Sequence, residues 1–306
     1  MEKTSTDAVT VDDVIGFEDV LSDDGTRIRA WTNDPGGRIT GPTVVLCNGL
    51  GTNAWAWPAL LEPDCGVRVV SWNHRGVGGS DRPTDPSRVN ISDFVDDALS
   101  VMDHFGIDKA VLMGWSMGVN TMFELAARHP ERVTGLFAVC GVPGDTFATM
   151  LGPLHVPRWA ARLALVNAAR TTKLVGWALT PFTTRLPIGP LMIGVVSHSG
   201  FMLPVADPEL AARAVKEFFS TPVEWYSHMA LATSQHARVS LSGIGVPAFF
   251  VAGAYDLLTG TKHMETAASK MDDATFVELK ATHFAQMEQP DAVHRLLREF
   301  LEQVAG

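Results

Sequence analysis

Gly114-Trp115-Ser116-Met117-Gly118 stands where an apolar, strand-like run (110–113) gives way to a helix-like one (119–129). That junction leaves the chain few folds to choose from. A turn from strand directly into helix is so tight that the residue at its apex must take a strained backbone conformation. Glycines two positions to either side of Ser116 leave room where a Cβ would collide with the neighbouring strand and helix. Such a turn holds the Ser116 hydroxyl at the carboxyl edge of a sheet, with a helix N-terminus aimed at it. The competing reading is an ordinary strand-to-helix turn with a capping serine.

The rest of the chain repeats the same alternation. Runs 14–20 and 27–31 flank Ser22-Asp23-Asp24-Gly25 and read as a hairpin. Runs 42–47 and 67–72 are continuously apolar, as strands buried on both faces are. The first ends in Asn48-Gly49-Leu50-Gly51 and the second runs into His74-Arg75-Gly76-Val77-Gly78-Gly79-Ser80. Ile91, Phe94, Val95, Ala98, Leu99, Met102 and Phe105 then recur at helical spacing, with Asn90 as N-cap. After the 110–113 strand and its helix comes a strand at 133–140. Alternation then stops from 145 to 241, where helices are expected at 157–178, 208–220 and 222–237. It resumes with strands at 246–252 and 274–279, a helix near 261–271 and a last amphipathic helix through Val293, Leu297, Phe300 and Val304. Strands alternating with helices imply an α/β fold, a mostly parallel sheet covered on both faces. The expected division is a core of residues 1–144 and 242–306 with a helical cap, 145–241, inserted over the sheet's carboxyl edge.

Composition narrows the class. Across 306 residues, 46% hydrophobic and 19% charged side chains describe a globular protein. The formal charge is −10 and no basic cluster stands out, which argues against nucleic acid and anionic membrane surfaces as partners. No run of 18 apolar residues exists; the most apolar tract, 186–206, is broken by Pro187, Pro190 and Pro204, so no membrane span is expected. Cys47, Cys65 and Cys140 lack metal or redox spacing. An odd cysteine count and a polar, acidic N-terminus without a signal peptide fit a reducing, cytoplasmic location.

A serine hydroxyl is a poor nucleophile until a base takes its proton, and that base needs a fixed tautomer and a counter-charge. Of ten histidines, His283 lies just past the last strand, on the edge where Ser116 also ends. His104, His129 and His294 belong to helices; His155, His198, His228 and His236 belong to the insertion; His74 and His263 are lower-ranked loop candidates. The acid should also leave a strand end. Asp256 follows the 246–252 strand and gives the order Ser116, Asp256, His283, which one triad class shares. Asp145, just past the 133–140 strand, is the rival. Acyl transfer builds negative charge on a carbonyl oxygen, which the backbone N–H groups of Leu50 and Met117 are placed to receive. Gly49 to Gly51 could instead be a phosphate cradle, but a lysine and a second glycine pair are missing. No His-Glu-x-x-His pattern calls for zinc, and no cofactor is expected.

Asn48-Gly49-Leu50-Gly51, the 73–80 loop, Gly114 to Gly118, Gly253 to Asp256, and His283 followed by Glu288-Gln289-Pro290 together resemble the α/β-hydrolase superfamily over residues 14–304. The resemblance implies an α/β-hydrolase fold whose helical insertion caps the active site, with catalytic residues Ser116, Asp256 and His283 and oxyanion donors Leu50 and Met117. The chain departs from many relatives in having Asn48 where they have histidine, and Val119 and Thr282 where glycines are common. A serine at 116 argues against the dehalogenase and epoxide-hydrolase branches, which use aspartate. The 48–55 stretch and the Glu-Gln-Pro ending are similar to enol-lactone hydrolases. The expected activity is hydrolysis of a small-molecule carboxylic ester through an acyl-enzyme, with lactonase, thioesterase and cofactor-free perhydrolase as alternatives on the same triad, and a non-catalytic ligand receptor behind them. Phe147, Met150, Leu151, Trp159, Trp177, Phe182, Met192, Phe201 and Met202 suggest an apolar acyl or alcohol pocket, with helix packing as the competing use. Whether the chain forms a homo-oligomer stays open.

Overall fold

The computed structural model describes residues 14–150 and 156–306. Eight strands form one sheet: β1 (Gly16–Leu21), β2 (Arg27–Thr32), β3 (Thr43–Cys47), β4 (Arg68–Trp72), β5 (Ala110–Trp115), β6 (Val133–Val139), β7 (Ala248–Gly253) and β8 (Ala274–Leu279). Their order is β1-β2-β4-β3-β5-β6-β7-β8. The β1–β2 hairpin is antiparallel, β2 pairs antiparallel with β4, and every later pairing is parallel. Among the described residues the α-helices are α1 (Ile91–His104), α2 (Gly118–Arg128), α3 (Thr146–Thr149), α4 (Arg158–Thr183), α5 (Pro190–Val196), α6 (Pro208–Ser220), α7 (Val223–Thr233), α8 (Thr261–Ala268), α9 (Ala285–Glu288) and α10 (Pro290–Ala305).

The continuous apolar runs make sense once both faces of the sheet are covered. Side chains alternate across a strand, so Val44 and Leu46 of β3 face one core with Val111, Met113, Phe137 and Val139, closed by Leu297 and Phe300 of α10. Val45 and Cys47 face the other core with Leu112, Leu136 and Phe250, closed by Val95, Ala98 and Met102 of α1 and Met122 and Phe123 of α2. All three cysteines are free and buried, and burial pushes the Cys47 thiol up.

Local signals fix the helix starts. Asn90 accepts from the N–H groups of Ser92 and Asp93 while the Asp93 carboxylate accepts from Asn90 N–H, a reciprocal cap on α1. Asp207 caps α6 in one direction only, its carboxylate accepting from the N–H groups of Glu209 and Leu210, with Pro208 in the first turn. Three helices depart from the periodicity. α4 continues past 178 to Thr183 despite Pro181, which lacks the N–H that would reach Trp177; Thr184 N–H still reaches Thr180 O. α7 stops at Thr233 rather than 237, and α5 forms inside the proline-broken 186–206 tract.

α3 to α7 are inserted between β6 and β7. α7 sits on the loops that follow β3 and β4: Trp225 Nε1 donates to Arg75 O at 2.8 Å, and Tyr226 fills the space where a Gly51 side chain would stand, 3.1 Å from its Cβ position. Arg75 itself is wholly buried, with Nε and Nη2 donating to Asp97 of α1 at 2.8–3.1 Å and Nη1 to Asp24 of the hairpin turn. α4 packs on α7 as an outer layer. No helix among the described residues is long and apolar enough to cross a membrane.

Candidate active site

β5 ends at Trp115, α2 begins at Gly118, and Ser116 sits between them at φ 55°, in the left-handed region. Ser116 N–H donates to Val139 O of β6 and its own carbonyl accepts from Val119 N–H. Nothing larger than glycine fits beside this turn. A Cβ on Gly118 would lie 1.9 Å from Cys47 O of β3, and one on Gly141 would lie 2.4 Å from Ser116 O. The strain of the apex is therefore held by backbone on both sides.

The structure brings the three widely separated side chains together. Ser116 Oγ lies 2.8 Å from His283 Nε2, and His283 Nδ1 lies 2.9 Å from Asp256 Oδ2. The second carboxylate oxygen of Asp256 accepts from the N–H groups of Leu258 and Thr259, each at 2.8 Å, and the residue is buried. A carboxylate accepting three hydrogen bonds cannot turn, and it holds a proton on Nδ1. That leaves Nε2 as the lone pair facing Ser116. Asp145 goes elsewhere. At φ 58° it pairs with Arg158, and its other oxygen lies 3.8 Å from Arg162. His74, the loop alternative, is buried with its ring edge-on to Phe94 at 4.7 Å, and burial lowers its pKa to about 4.

Leu50 lies in the loop leaving β3, and Met117 is the residue directly before α2. Among the described residues no protein acceptor takes the N–H of either. The Leu50 loop is shaped by Asn48, whose side-chain oxygen accepts from Gly49 N–H and Trp57 Nε1 and whose amide donates to Asn53 O. An asparagine thus does at this loop entrance what a donor-and-acceptor ring could do.

A family model described as the alpha/beta hydrolase fold matches residues 42–290. The chain belongs to that family. This hydrolase is 26% identical to epoxide hydrolase B of Mycobacterium tuberculosis over 92% of its length and 97% of the relative's. It is 25% identical to 3-oxoadipate enol-lactonase 2 of Acinetobacter baylyi, covering 94% and 98% of the two chains. Among solved structures it is similar to the enol-lactonase of Burkholderia xenovorans LB400, with TM-score 0.69 and 26% identity over 93% of this chain and all of the other.

Two contacts that support the hydrolase site were not expected from sequence, although their residues stand in motifs the sequence marks. Trp115 donates from Nε1 to His283 O at 3.0 Å, and its ring packs edge-on against Trp57, so the residue before Ser116 also fixes the histidine turn. Glu288 accepts from Thr282 N–H at 2.7 Å and Thr282 Oγ at 2.5 Å, and from Leu203 N–H of the insertion at 2.8 Å. The signal for the second was in the chain: Thr282 in place of a glycine supplies the hydroxyl that the nearby carboxylate takes.

The suggested apolar pocket list divides. Phe147 packs against the cluster of Leu50, Val77, Met117 and Met229 beside Ser116. Trp159, Trp177 and Phe182 instead point into solvent, and Leu151 lies outside the described residues. Tyr226 joins that cluster, and burial pushes its phenol up to about 12, so it stays neutral. Among the described residues no three His, Cys, Asp or Glu side chains gather as a metal site would require.

Proposed function

We propose that this hydrolase cleaves carboxylic esters through a covalent intermediate on Ser116. The observation that carries the reading is the unbroken hydrogen-bonded chain from Ser116 through His283 to Asp256, set on a backbone strained at residue 116. Ser116 Oγ attacks the ester carbonyl carbon while His283 Nε2 takes its proton. The carbonyl oxygen, now carrying the negative charge, accepts from Leu50 and Met117 N–H. The carbon–oxygen ester bond then breaks, and the departing alkoxide takes the proton from His283. Water delivered against the acyl-serine gives its proton to the same nitrogen; the acyl–Oγ bond then breaks, Ser116 Oγ takes that proton back from His283, and the acid is released. Asp256 balances the imidazolium in both halves. Leu50, Val77, Met117, Phe147 and Tyr226 make the surroundings apolar, which suits an apolar acyl or alcohol group. The seating of α7 on the Leu50 loop supports a cap role for the inserted helices, residues 145–241.

The likeness to an epoxide hydrolase extends the family match, but residue 116 is a serine rather than the aspartate of that branch. A lactone substrate is the second reading, favoured by the enol-lactonase relatives that match along nearly the whole chain. The test is hydrolysis of p-nitrophenyl esters from acetate to palmitate beside a matched lactone and thioester panel, with wild type and Ser116→Ala. Turnover that survives in Ser116→Ala refutes the proposal. A higher kcat/KM on lactones than on esters moves it to the second reading. Stoichiometric labelling of Ser116 by an organophosphonate separates either from a passive receptor.

A further inference from the structure

α4 turns large apolar side chains away from the protein. Its inward face, with Ala161, Thr172, Gly176 and Thr180, meets α7: Thr172 Oγ1 and Ser227 Oγ lie 2.7 Å apart, and Thr180 Oγ1 donates to Glu224 at 2.7 Å. A Cβ on Gly176 would stand 2.6 Å from Glu224 N, so the two helices are in backbone contact. Trp159, Leu163, Leu174 and Trp177 recur at i, i+4, i+15 and i+18, one stripe of an α-helix lying off that face. Trp159 and Trp177 are each 72% exposed and Leu174 is 76% exposed. Leu191 and Val195 of the following α5 are exposed as well.

The charge of this layer runs against that of the molecule. Between Asp145 and Asp207 there is no aspartate or glutamate, while Arg158, Arg162, Arg170, Lys173 and Arg185 are all basic, in a chain of net charge −10. Arg162, Arg170 and Lys173, with Ser87, Asn90 and His228, line a groove of about 550 Å³ between α4 and α7. Arg170 falls within the tryptophan stripe, at i+11 from Trp159, and Arg162 and Lys173 lie between the stripe and the groove, where Lys173 Nζ stands 2.7 Å from His228 Nδ1. The whole-chain charge hides this local bias, which is why an anionic surface was not expected from composition.

We propose that the outer face of α4 and α5 is a docking surface for a membrane carrying anionic lipids. Exposed tryptophan and leucine insert at the level of the headgroups, and basic side chains beside them meet lipid phosphates; this is the pattern of an in-plane interfacial helix. A second copy of the chain fits less well, because a two-fold pairing of this face would set its cations against themselves. The surface is independent of the ester-hydrolase reading, so Ser116→Ala should bind vesicles as wild type does.

The experiment is flotation of the full-length protein with vesicles of phosphatidylcholine alone or with about 30% phosphatidylglycerol. Binding is expected to the anionic vesicles, at least about tenfold weaker to neutral ones, and weakened by salt. Neutralising three cations (Arg170→Gln, Lys173→Gln, Arg185→Gln) should reduce affinity roughly a hundredfold, since each basic residue near such a surface carries about fivefold. Trp159→Ser with Trp177→Ser should abolish flotation and leave the melting curve and hydrolysis of a soluble ester unchanged. Failure of wild type to float with anionic vesicles, or flotation equal in both variants, overturns the proposal. So does light scattering that shows a wild-type dimer dispersed by the tryptophan pair, because the face is then a subunit contact.

Discussion

The sheet rim and the inserted helices above it solve opposite problems. At the rim, Asp256, Thr282 and Asn48 have their polar atoms committed to named partners, and backbone closes on Gly118 and on Gly253, whose Cβ would lie 2.3 Å from Thr282 O. In the outer insertion, large apolar side chains of α4 and α5 meet water and their cations have few carboxylates nearby. Reactions need atoms held to within fractions of an ångström. Adsorption to a fluid surface needs only a face of the right chemistry. Substitutions at the rim should therefore cost far more than substitutions of similar size in α4.

The widest expected gap is at residue 116. Ser116→Ala should lower ester turnover by a factor on the order of 10⁶, measured with enzyme free of wild-type contamination; a loss within about tenfold would erase the distinction. Next comes the acid. Asp256→Asn should lower kcat by about 10⁴, because the imidazole loses the partner that sets its tautomer, while Asp145→Asn, tied to Arg158 away from His283, should stay within about twofold. Equal losses would reverse the assignment. Gly118→Ala should destabilise by about 3 kcal/mol or more in denaturant melts, since β3 backbone occupies the methyl's position.

Protonation sharpens the contrast within the core. His74 is buried and neutral, with its pKa lowered to about 4, whereas the unfolded chain takes up the proton near about 6.5. The unfolded state thus binds more protons between those values. His74 contributes stability that is complete above about 6.5 and falls away as pH drops toward 4, on the order of 3 kcal/mol in all. His74→Gln should flatten that part of the pH–stability curve; an unchanged slope places the titrating group elsewhere. The smallest effect belongs to α4, where Trp177→Ser should shift stability by no more than about 0.5 kcal/mol.

Much of the rim was readable because its constraints are local. A strand end followed by glycines flanking serine admits little else, and the inner strands β3 to β7 declare themselves by the apolar runs that two covering layers require, while β1 and β2 show themselves as a hairpin around Ser22 to Gly25. Choosing Asp256 over Asp145 needed chain order, and what separates them in space, the arginines at 158 and 162, comes from a helix whose packing no local pattern reveals. The apolar residues of 145–241 were harder. A tryptophan at helical spacing reads alike whether it faces a pocket, a neighbouring helix or solvent, and Trp159 and Trp177 face solvent. α5 was hidden by prolines that begin it rather than prevent it.

Glu288 joins the turn bearing His283 to residue 203 of the insertion, and on the far side it grips a main-chain N–H rather than a side chain. That crosslink is blind to which amino acid occupies 203. The covering segment can accordingly drift in sequence, and with it the shape offered to incoming molecules, while the imidazole keeps its alignment. Only an imino acid at that position would cut the tie.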